Sequence, residues 1–172
     1  MKKHTKWGLA ALAAVAVGAS GVEAQAASPI GDEAERIALA EHLESQAVEA
    51  SQHVKSFKKA SSLYREAAET LGDHPDAAEH LVQAARLAYY TGDERRAIQD
   101  FRAAGEQALE WGDVMTAAQS FLDAAWVAAE EERGEEALEL AHRAEKLSSS
   151  PLIQRQKRAS LRSRIADFQQ QQ

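Results

Sequence analysis

The chain has no cysteine. That excludes disulfides, iron–sulfur clusters, thiol catalysis and a cysteine-linked lipid anchor, and it fits an oxidising compartment. Proline is scarce, at three, and aromatic residues make up only 6%. So few rings cannot fill a thick core. Much of the 45% hydrophobic content is alanine, which suits helices packed closely side by side. No stretch alternates polar and apolar residues with period two, so no strands are expected. Past the N-terminal segment no run is apolar enough to span a bilayer, which needs about 20 residues. What is present is a 172-residue chain, 27% charged, long enough for one folded domain and too apolar to be disordered.

Residues 1–26 carry the marks of a cleaved signal peptide. Lys2, Lys3 and Lys6 form a positive start, Leu9 to Val17 is a short apolar run, and Gly18, Ser20 and Gly21 break it. Ala24-Gln25-Ala26 is a small-x-small cleavage site, so the mature chain is expected to begin at Ala27 and to be exported, periplasmic or secreted, without stable membrane insertion. Three lysines and Glu23 leave with this segment, which moves the net charge from −7 to −9. Beyond Pro151, five basic residues (Arg155, Lys157, Arg158, Arg162 and Arg164) stand against Asp167, a net +4, so residues 27–150 carry −13. An acidic body argues against nucleic acid and anionic membrane as main partners. The basic run is expected to be a solvated helix face.

A period of 20 residues runs through the body. Gly72-Asp73, Gly92-Asp93 and Gly112-Asp113 recur at that interval, each followed by an alanine five positions on, a large apolar residue nine on and a second alanine twelve on. From Gly92 these are Ala97, Phe101 and Ala104; from Gly112 they are Ala117, Phe121 and Ala124. A fourth unit keeps register at Ala137, Ala141 and Ala144, although its glycine has slipped to Gly134. Offsets of four and three put these residues on one helical stripe. Glycine ends one helix and Asp caps the next, while Ser150-Pro151 is expected to start the last one. The pattern predicts seven helices, over 33–51, 55–70, 76–90, 94–110, 114–131, 135–147 and 152–168, all short-linked antiparallel neighbours. The boundary near Gln52 has no glycine, and 33–70 could also form one long helix.

These residues resemble the tetratricopeptide repeat. Residues 78–111 carry Leu81, Ala84, Ala85, Ala88, Gly92, Ala97, Phe101 and Ala104 at family spacing. A second copy covers 118–151, a degenerate one 40–74, and residues 152–172 make a capping helix with a Gln-rich tail. The pair period is 40 residues, against roughly 34 in the family, which means longer helices. The resemblance implies an all-α fold of antiparallel helix pairs stacked as a right-handed solenoid. For function it implies a scaffold that binds a protein or peptide in its concave groove. The favoured pairing puts helices 76–90 and 114–131 on the inner surface, because they are more apolar than 94–110.

No convergent catalytic cluster is visible, and no enzyme activity, metal or cofactor is expected. His42 and His53 lie eleven residues apart with Glu49 between them, without the tight spacing that holds two imidazoles on one ion, and serve as ordinary exposed histidines. The Glu130–Glu132 run with Glu135 and Glu136 fits a solvated turn, not a calcium loop. Under the favoured pairing, Glu79, Val82, Arg86, Tyr89 and Tyr90 point into the groove from one helix. Gln119, Leu122, Trp126 and Glu130 do so from the next, and Arg162 from the cap. Trp111, beside the Gly112 turn, is expected to pack between repeats. This set fits a protein or peptide with apolar anchors and an acidic group reaching an arginine. The alternative is a structural subunit whose surfaces serve self-association.

Overall fold

The computed structural model describes residues 29–171. The expected export segment, residues 1–26, lies outside the described residues. Seven α-helices follow one another: α1 (Pro29–Ser51), α2 (Phe57–Leu71), α3 (Ala77–Tyr90), α4 (Glu94–Glu110), α5 (Val114–Glu130), α6 (Gly134–Ser148) and α7 (Arg155–Gln171). Each packs mainly on its neighbours in sequence, and the described residues contain no strand, so the architecture is an all-α helical-repeat solenoid. No helix among the described residues is long and apolar enough to cross a membrane. The first two helices are separate: His53 is extended and a 3-10 turn, Val54–Ser56, redirects the chain into α2.

The period of 20 becomes a repeated turn. Gly92 and Gly112 adopt φ of 73° and 75°, the left-handed region that costs an L side chain about 1–2 kcal/mol. The next N–H then reaches back to close the helix: Asp93 donates to the Ala88 carbonyl at 3.0 Å and Asp113 to Ala108 at 2.8 Å. The same two aspartates cap the following helices, accepting from the N–H of Arg96 at 3.3 Å and of Thr116 at 3.1 Å. The fourth turn keeps this wiring, with Arg133 donating to Ala128 at 2.9 Å. There, however, Glu132 occupies the left-handed position, at φ 57°, while Gly134 is already inside α6.

Two expected caps are not used. After Gly72 the chain runs on to Ala77 before α3 begins, and its N-cap is Asp76, whose side chain makes no capping bond. Pro75 explains the delay, since the residue before a proline is pushed out of the helical region. Ser150-Pro151 likewise forms a turn and not a helix start: the Ser150 hydroxyl accepts from the Leu152 N–H at 3.3 Å, and α7 begins only at Arg155. The turn drops Ile153 into the core, where it is buried.

The small stripes are the close contacts between helices. Ala77, Ala84, Ala97, Ala104, Ala117 and Ala124 are at most 1% exposed. Phe121, Phe168, Ile98, Leu122, Leu140 and Leu161 are the largest fully enclosed hydrophobic side chains, each stabilising the fold by about 1.5–3 kcal/mol. The tightest approach is at Gly105 on α4. A Cβ there would lie 2.7 Å from two ring carbons of Phe121 on α5. The Phe121 ring also has the Arg143 guanidinium of α6 stacked on it, 3.9 Å from its centroid.

The even-numbered helices form one layer, tied across the intervening helix by ion pairs. Arg65 of α2 reaches Asp100 of α4 at 2.6 Å. Arg102 of α4 meets Glu136 of α6 at 3.1 Å, and Arg143 of α6 meets Glu106 of α4 at 2.7 Å. The hydrogen bond from Arg143 holds the Glu106 carboxyl below its usual range. Asp100 is buried; Arg65 supplies its hydrogen bonds, and Arg96 adds a second positive charge facing it at 3.5 Å.

Candidate functional site

The odd-numbered helices build the other side of the molecule, and a long depression lies there. A groove of about 540 Å³ runs between α3 and α5, closed at one side by Arg164 of α7. It is continued by a pocket of about 320 Å³ that shares Arg86, Asp123 and Arg164 with it. Because α4 runs antiparallel between them, α3 and α5 point the same way, so equivalent turns face each other across the groove.

Glu79, Val82, Arg86 and Gln119 line the larger section. Tyr89, Tyr90, Trp126 and Glu130 line the continuation. The structure therefore brings together most of the residues expected to face inward. Two of them do not belong to this surface. Leu122 is fully buried among core residues, because Ala118, Leu122 and Ala125 form a stripe of their own at offsets of four and three. Arg162 is exposed on α7 and lines neither section. Arg164 takes that place: it sits between Leu161 and Phe168 on the inward side of α7 and pairs with Asp123 of α5.

Trp111 was expected to pack between repeats, yet it is 54% exposed and lines the groove. As the C-cap residue of α4 it stands just outside the helical stripe, so the packing pattern does not capture it. Ser120 is a second residue that periodicity conceals. It is 2% exposed, lines the groove, and its hydroxyl finds no hydrogen-bond partner among the described residues.

The aromatic end is a connected group. The rings of Tyr89 and Tyr90 are 5.8 Å apart, and Tyr90 faces Phe57 of α2 at 6.3 Å. Trp126 is half-buried, edge-on to Phe168 at 5.1 Å, so it anchors α7 as well as forming the wall. The Tyr89 hydroxyl donates to Glu130 at 2.9 Å across the groove. That hydrogen bond, reinforced by the carboxylate's charge, holds the Tyr89 phenol above its ordinary value of 10.0. Arg86 is exposed and has no ion-pair partner among the described residues.

The described residues hold no group of three histidine, aspartate or glutamate side chains placed to bind a metal ion. His42 instead bonds Gln46 at 2.7 Å within α1. No family model, curated protein or solved structure matches this chain.

Proposed function

We propose that this chain is an exported, non-enzymatic scaffold of the tetratricopeptide kind that binds an extended segment or helix of another protein in the groove between α3 and α5. The observation that carries the reading is a continuous furrow whose continuation is walled by Tyr89, Tyr90 and Trp126. Tyrosine and tryptophan are the usual anchors of binding hot spots, because they supply large area for little lost side-chain freedom. Tyr90 is 68% exposed, more apolar area than a tyrosine serving only packing would leave in water. An acidic group on the partner is served by Arg86, since Arg164 is already engaged by Asp123. The N-terminal segment with its Ala24-Gln25-Ala26 site supports export.

The test is capture of partners by the mature chain from its native host, compared with a Tyr89→Ala/Tyr90→Ala variant and with Arg95→Ala, an exposed change on α4. Loss of a partner with the tyrosine pair but not with Arg95→Ala is the expected result, at about 2 kcal/mol or more. Loss with Arg95→Ala alone would move function to the opposite face. Intact mass of the host-made protein tests export, with Ala27 as the expected first residue.

Self-assembly is the second reading, and one observation favours it. Glu33, Glu35, Glu41 and Glu49 are exposed on α1 at one end, whereas Arg155, Lys157 and Arg162 are exposed on α7 at the other. Salt-sensitive oligomers in sedimentation would support that reading; a monomer at every salt concentration would remove it.

A further inference from the structure

The two ends of the groove differ in charge. The first turns of α3 and α5 bring Asp76, Glu79 and Asp113 to one end, beside Trp111. The guanidinium groups that line the furrow among the described residues, Arg86 and Arg164, stand two to three turns further along, and Arg164 is closed on Asp123. Over the whole furrow five carboxylates (Asp76, Glu79, Asp113, Asp123 and Glu130) face these two cations. Asp113 is occupied in capping α5, through the Thr116 N–H and hydroxyl, and Asp76 faces His74 Nδ1 at 3.6 Å. The Glu79 carboxylate makes no hydrogen bond or ion pair among the described residues, only its backbone N–H donating to the Asp76 carbonyl at 3.1 Å. Part-way along, Ser120 lines the furrow, and its buried hydroxyl has no partner among the described residues. A buried polar group left unpaired in the free protein needs a partner from elsewhere, and a ligand in the furrow is one that would supply it.

We propose that this end of the groove binds a cationic side chain, a lysine ammonium or an arginine guanidinium, on the segment that the groove reading assigns to it. The cation lies against the Trp111 ring, with Glu79 and Asp76 as counter-charges. The Ser120 hydroxyl bonds the backbone of the segment. From Glu79 to Tyr90 along α3 is about 16 Å at about 1.5 Å per residue, which an extended chain covers in about five residues. The partner motif is therefore a basic residue separated by about five positions from an aromatic or branched apolar one.

The test uses capped peptides of about six residues, serine spacers with leucine at one end and lysine, norleucine or glutamate at the other, made in both orders. They are titrated into the full chain and followed by the indole N–H signals of Trp111 and Trp126. The lysine peptide should bind about fivefold more tightly than the norleucine peptide and shift both signals. That advantage should vanish with Asp76→Asn/Glu79→Gln and fade at high salt. Ser120→Ala should weaken every peptide while leaving the melting temperature no lower. Equal affinity of the lysine and norleucine peptides, or a shift of Trp126 alone, overturns the cation site and leaves the apolar anchor standing. A glutamate peptide that binds best overturns it too. If no peptide moves either signal, the groove reading falls and this inference with it.

Discussion

Replacing Gly105 by alanine should destabilise the solenoid, although alanine is the better helix former. Two effects oppose each other. Inside a helix the exchange gains about 1 kcal/mol from propensity. Against it, the new methyl would sit 2.7 Å from two carbons of the Phe121 ring and 3.0 Å from a third. The ring cannot retreat, because it is fully buried and the Arg143 guanidinium lies on it. Overpacking of this kind costs about 1–3 kcal/mol, so the net loss is about 1 kcal/mol. Gly134 provides the internal reference. Nothing lies within 4 Å of a Cβ built there, and the residue is already helical, so Gly134→Ala should stabilise by about 0.5–1 kcal/mol. The two variants should therefore move apart by about 2 kcal/mol, or about 6 °C in melting temperature for a chain of this size. Urea denaturation and calorimetry measure it. Adding Phe121→Leu to Gly105→Ala should cost less than the sum of the single changes. The reasoning is refuted if Gly105→Ala melts at or above the parent.

Glu132→Gly should raise stability by about 1 kcal/mol in the same assays, since Glu132 holds a φ of 57° that glycine adopts without strain. Asp100→Ala should lower stability by about 3 kcal/mol, because Arg65 would be left half-buried without its counter-charge; an unchanged urea midpoint would contradict this. Ala104→Leu, at a fully buried contact, should cost about 1–3 kcal/mol, and an unchanged melting curve would show the stripe to be looser than described. The Tyr89 phenol is held above 10.0 by its bond to Glu130, so its contribution to stability is present below that pH and is lost as pH rises through the folded-state value. Ultraviolet titration should show the Tyr89 transition falling back with Glu130→Ala, and Tyr89→Phe assigns it.

The fold was legible because its information is local. A glycine that ends a helix, an aspartate that caps the next and alanines at offsets of four and three recur in the chain, and consecutive helices then have only each other to pack on. Where a competing local rule acted, the pattern gave way: beside Pro75 the Gly-Asp cap goes unused although α3 starts within a residue of its expected place, and the turn at Ser150-Pro151 moves the start of α7 from 152 to 155. The site was legible in part. Tyr89, Tyr90 and Arg86 lie on the odd-numbered side as the spacing implied. Leu122 and Arg162 illustrate the remainder. Which arc of a helix faces a groove depends on its rotation against two neighbours at once, and one sequence fixes that only to within a residue or two. Arg164 differs from Arg162 by about 200° around α7, and periodicity alone does not choose between them. Trp111 and Ser120 stayed hidden for a different reason. One lies just outside a helix, and the other is a small polar residue whose lack of a partner is visible only in three dimensions.

The ion pairs that join α2 to α4 and α4 to α6 have a mechanical consequence. They bind alternate helices along one edge of the stack. Among the described residues the opposite edge has two polar ties, Tyr89 with Glu130 at one end of the furrow and Arg164 with Asp123 part-way along it. A stack fastened along its spine bends like a book. Changes of curvature pivot on the fastened edge and appear as spreading or narrowing of the open one, most freely at the end where Asp76, Glu79 and Trp111 stand untied. Among the described residues no polar tie joins α3 to α5 at that end, and a segment that bridges them there would act as the missing clasp.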